Sequence, residues 1–82
     1  MLQKINGFIL SPHALERLAE FRPDISLEMV RKSIYEYDLI MTGKFQRPLY
    51  LKFFPERQKY LLVVVEGMTI VTAYFVGKER IR

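Results

Sequence analysis

The chain has no cysteine, which excludes disulfides and thiolate metal sites. It has one histidine, His13, too few for a histidine-built zinc or iron centre. No glycine-rich phosphate loop is present, and no carboxylate cluster adjoins the histidine in sequence. No metal and no cofactor are therefore expected. The longest apolar run, residues 61–65, is far short of a membrane span. Residues 1–7 have neither the apolar stretch nor the small-residue cleavage site of a signal peptide. These absences predict a cytoplasmic protein with no membrane partner.

What is present is a well-filled small domain. Half of the 82 residues are hydrophobic, enough for one core and too many for a disordered tail. Residues 1–82 are expected to form a single domain. The net charge of +4 is unevenly placed: residues 1–41 carry −1 and residues 42–82 carry +5. A polyanionic partner for the second half is the functional expectation, and simple solvation of a basic surface is the alternative.

The hydrophobic period changes midway along the chain. Ser11-Pro12-His13-Ala14-Leu15-Glu16-Arg17 is a helix start, with Ser11 as cap and Pro12 in the first turn. A helix is predicted over residues 12–21, with Ala14, Leu15, Leu18 and Phe21 on one face and His13 and Arg17 on its flank. Arg22-Pro23-Asp24 should end it. Ser26 caps a second helix that reaches residue 36 or 37. Strands are predicted over residues 39–42, 49–54, 60–66 and 69–76, with a short strand or apolar lead-in at 8–10. Residues 43–48 read as a loop in which Phe45 has no evident purpose. The expected fold is α+β: two N-terminal helices on one face of a three- to four-stranded antiparallel sheet.

Histidine is the side chain whose ordinary pKa suits proton transfer near neutral pH. Cleaving RNA without metal requires a base for the 2′-hydroxyl, an acid for the 5′-oxygen and a cation for the transition-state charge. His13 can be acid or base. Arg17, Lys52 or Arg47 can be the cation, and Thr72 or Tyr74 can orient the phosphate. The more purely apolar side of each strand, Leu49, Leu51 and Phe53 in the second, is expected to face the helices, so alternation places Tyr50, Lys52, Thr72 and Tyr74 together on the other face or at its edge. With Arg47, Arg57 and Lys59, Tyr50 and Lys52 are the expected RNA-binding residues. Each also has a plain reading. His13 can be a surface histidine, Arg17 can pair with Glu16 or Glu20, the tyrosines can be packing residues, and Arg57 and Lys59 can solvate a turn.

The run from Ser11 to Leu18, Ile25-Ser26-Leu27-Glu28-Met29-Val30, Leu61-Leu62-Val63-Val64-Val65 and Ile70-Val71-Thr72-Ala73-Tyr74 together resemble a family of short prokaryotic domains of uncharacterised function. That family is related to the BrnT and RelE toxins of type II toxin–antitoxin pairs. The resemblance covers residues 8–76. It implies a RelE/BrnT-like fold and a metal-independent endoribonuclease acting on RNA. It further implies a cognate antitoxin from a neighbouring gene, and active groups at His13, Arg17, Thr72 and Tyr74. Two other readings stand beside it: a catalytically inert RNA-binding module, and a protein-interaction or homo-oligomeric domain.

Overall fold

Ser11 starts the first helix. Its hydroxyl accepts the Ala14 N–H at 3.1 Å and its carbonyl accepts the Leu15 N–H at 3.0 Å. Pro12 fills the first helical position, where a missing N–H costs nothing. In the computed structural model, which describes residues 3–5, 7–21 and 24–80 (the side chains of 3–5, Phe21 and Arg80 apart), helix α1 spans Pro12–Phe21. The stop expected at Arg22-Pro23 lies outside the described residues, as does the end of the basic tail. Ser26 caps α2 (Leu27–Tyr35) by accepting the Met29 N–H at 3.2 Å. Ser33, fully buried in α2, donates its hydroxyl to the Met29 carbonyl at 3.0 Å, so no polar atom is stranded there.

Among the described residues, six strands form one sheet: β1 (Gln3–Ile5), β2 (Phe8–Leu10), β3 (Leu39–Thr42), β4 (Pro48–Phe54), β5 (Lys59–Glu66) and β6 (Thr69–Val76). Their order is β1-β2-β6-β5-β4-β3. From β3 to β6 the chain is the expected antiparallel meander. Gly67, at φ +61°, opens the short turn between β5 and β6.

The expectation of a purely antiparallel sheet of three to four strands is corrected at the N-terminus. Two short strands precede the helices, and β2 runs parallel to β6, pairing Ile9 with Thr69 and Leu10 with Ile70. A three-residue strand whose partner is almost at the other end of the chain has no local period to reveal it. Ile9 also donates its N–H to the Met68 carbonyl at 2.7 Å.

Both helices cover the same face. Ala14 and Leu18 of α1 and Val30 and Ile34 of α2 share one core with Leu61, Val63, Val65, Ile70 and Ala73. Leu10, Leu61 and Ile70 are fully buried; each such side chain contributes roughly 1.5–3 kcal/mol. The other face carries a smaller cluster drawn from strands alone: buried Leu51, Leu62 and Val76, ringed by Leu39, Met41, Leu49, Tyr60, Val64 and Tyr74. The chain is thus an α+β domain with two helices on one side of a mixed sheet.

The β5–β6 register slips once. Val64 pairs with Thr72 but Val65 pairs with Ile70, so Val71 is an extra residue, a β-bulge. Strict alternation would put Ile70, Thr72 and Tyr74 on one face. The bulge instead turns Ile70 into the helix-covered core and leaves Thr72 and Tyr74 on the opposite face.

Candidate active site

β2 ends at Leu10, level with Ile70, and the chain then passes through Ser11 into α1. The first turns of α1 consequently lie beside β6 where its pairing with β2 has ended. His13 and Arg17, one helical turn apart, line a cleft there of about 260 Å³ with Val71, Thr72 and Tyr74. His13 and Arg17 are exposed; the three strand residues are half-buried. The four groups named from the sequence as active thus border one hollow. Val71, the bulged residue, completes its wall, a position often found beside functional sites because a bulge re-aims its neighbours.

Tyr74 also borders a second cleft of about 420 Å³, lined by Gly43, Lys44, Arg47, Leu49 and Val64. The two clefts share one tyrosine wall across the helix-free face. The Arg47 guanidinium pairs with Glu66 at 3.3 Å, and its Nε is buried without a hydrogen-bond partner. Lys44, not singled out from the sequence, is the second cation here; its place in a loop beside Arg47 was the only sign. A third hollow, about 360 Å³, is lined by Leu15, Leu18, Ala19, Ile25 and Leu27, none of which can transfer a proton or bind a phosphate.

Tyr50 and Lys52 do not share the surface of Thr72 and Tyr74. Tyr50 pairs with Val63 and Lys52 with Leu61, and both partners lie under the helices. Tyr50 therefore faces the helix side, edge-on to Tyr37 at 5.4 Å and to Phe8 at 6.0 Å between ring centroids. The expectation went wrong because the more purely apolar set, Leu49, Leu51 and Phe53, was assigned to the helices. The register set by β5 gives it to the open face. Lys52 is half-buried, as its long alkyl stem allows.

Arg57 is engaged elsewhere. It donates to the Asp24 carboxylate at 3.3 Å and the Asp24 carbonyl at 3.1 Å, and lies over the Phe75 ring at 5.4 Å. It ties the β4–β5 turn to the start of the second helical segment. Lys59 is exposed and, paired with Phe54, belongs to the helix-covered side of β5. Of the five expected RNA-binding residues, Arg47 alone lines a cleft on the helix-free face, the second one, which shares Tyr74 with the cleft of His13.

Among the described residues, no three His, Asp or Glu side chains gather as metal ligands would, and no helix is long and apolar enough to cross a membrane. No family model, no curated protein and no solved structure matches the chain.

Proposed function

We propose that the protein is a small metal-independent endoribonuclease, with its active site in the cleft of His13, Arg17, Thr72 and Tyr74. The observation that carries this reading is convergence: a histidine, a guanidinium and two hydroxyls from opposite ends of the chain border one open hollow. Such a set meets the needs of phosphodiester transesterification. The RNA 2′-oxygen attacks phosphorus and loses its proton, and the bond to the 5′-oxygen breaks as that oxygen gains one. The products are a 2′,3′-cyclic phosphate and a 5′-hydroxyl. His13 takes one of the two proton transfers, with water or the Tyr74 phenol serving the other. Arg17 offsets the charge that grows on the phosphoryl oxygens, and Thr72 holds one of them.

In this reading the chain is the toxin of a type II pair in the RelE/BrnT manner, acting in the cytoplasm and restrained by an antitoxin seated over the open sheet face. The test is incubation of the purified protein with RNA in the presence of chelator, beside His13→Ala. Cleavage by wild type alone supports the reading. Tight, salt-sensitive RNA binding without cleavage would instead make the chain an inert RNA-binding module.

A further inference from the structure

Phe45 is the most exposed large hydrophobic side chain described, at 83 %. Its backbone lies in the left-handed region (φ +59°, ψ +25°), and so does that of Gln46 (φ +59°). A bulky residue is uncommon there, and two consecutive non-glycine residues more so. The conformation is held by a closed loop. Gly43 donates to the Arg47 carbonyl at 2.8 Å, Gln46 to the Gly43 carbonyl at 3.2 Å, and Arg47 to the Lys44 carbonyl at 3.2 Å. The ring so presented is not isolated. The Arg47 guanidinium lies over it at 5.3 Å, and that same Arg47 lines the second cleft with Lys44 and Tyr74.

We infer that loop 43–47 is a nucleotide subsite for single-stranded RNA. One base stacks on Phe45, and the adjoining phosphate sits between Lys44 and Arg47. This rests on the nuclease reading for its substrate class. The placement follows from the sheet. Leu49 pairs with Val64 and Val64 with Thr72, so Leu49 of the second cleft lies two strand spacings, roughly 10 Å, from Thr72 of the His13 cleft, and Tyr74 borders both. A strand of RNA crossing the helix-free face would thus meet cations at both ends of its path. Aromatic stacking beside a cationic groove is the usual means of holding unpaired nucleotides without reading sequence. Arg47 holds the exposed Glu66 carboxylate at 3.3 Å, a contact that the incoming phosphate would replace while Lys44 supplies the second cation.

The chain has no tryptophan, so Phe45→Trp installs a single reporter. The probe is an oligoribonucleotide fully methylated at its 2′-oxygens, which cannot undergo 2′-attack. Titrating it into the Phe45→Trp protein is expected to quench the emission. Phe45→Ala is expected to weaken binding about tenfold or more. Lys44→Ala should lower the slope of log affinity against log salt by about 0.7. No quench, with Phe45→Ala binding as wild type, overturns the subsite; if wild type still cuts unmodified RNA, the nuclease reading survives that result. Quenching by a protein that leaves unmodified RNA intact keeps the subsite and removes the nuclease. Failure to bind the probe, with Phe45→Ala instead reducing self-association in light scattering, would make the loop a protein contact and overturn the inference.

Discussion

Leu10 pairs with Ile70, and both side chains are fully buried. This one parallel contact decides where the first helix begins. Ser11 and Pro12 follow Leu10 at once, so pinning Leu10 beside β6 delivers His13 to the bulge at Val71. Leu10→Ala should therefore cost about 2–5 kcal/mol in urea unfolding and lower RNA cleavage in the fraction that remains folded. Leu27→Ala, at a side chain 40 % exposed, is the control and should cost much less. Equal costs for the two would contradict this view of the core.

The cap at Ser11 holds the first turn that carries His13. Ser11→Ala should lower stability by about 1 kcal/mol, a fall in Tm of roughly 4–8 °C for a domain of this size. Ser11→Asp should retain most of it. Thermal melts by circular dichroism distinguish the two.

Much of this local structure is legible in the sequence. Ser11 and Ser26 are short polar residues ahead of helical repeats, and capping chemistry acts within three residues. The strand bounds around Pro55 and Gly67 were legible for the same reason. Relations between distant segments were not. The pairing of Leu10 with Ile70 leaves no mark on either segment. The bulge at Val71 interrupts alternation with an ordinary β-branched residue, so strict alternation puts Ile70 with Thr72 rather than in the core. Tyr50 and Lys52 were placed on the wrong face because the face of β4 depends on its register with β5, and composition pointed the other way. The chemistry of His13, Arg17, Thr72 and Tyr74 is legible in their side chains, but their gathering is not, since no spacing rule links the two ends of the chain; the parallel pairing of β2 with β6 brings them together.

Arg57 serves as a tether, and its removal should show in stability rather than in RNA affinity. A double-mutant cycle of Arg57→Ala with Asp24→Ala should give a coupling of about 0.2–1 kcal/mol, as for other exposed pairs. The salt dependence of RNA binding should not change. Loss of one unit of that slope in Arg57→Ala would return the residue to the RNA interface.

Glu28 accepts a hydrogen bond from Arg31, which holds its carboxyl below the ordinary value of 4.5 and raises Arg31 in turn. Because the folded state binds this proton less readily than the unfolded chain, the pair's contribution is present above pH 4.5. It is lost as pH falls through the lowered folded value. Both groups are exposed, so the effect is small and screened by salt. Wild type should exceed Glu28→Gln in Tm near neutral pH at low salt, and the difference should vanish in strong acid. A difference that grew as pH fell would contradict the assignment.

The central claim is that the hollow bordered by His13, Arg17, Thr72 and Tyr74 cuts RNA by 2′-oxygen attack. Its most direct measurement is the product ends formed from a defined RNA in chelator, by wild type and by His13→Ala, with folding of both verified by circular dichroism. The expected result is 2′,3′-cyclic phosphate and 5′-hydroxyl ends from wild type, with the rate about 10²–10⁴ lower in His13→Ala. Intact RNA at micromolar wild-type protein, or equal cleavage by the two proteins, would contradict it.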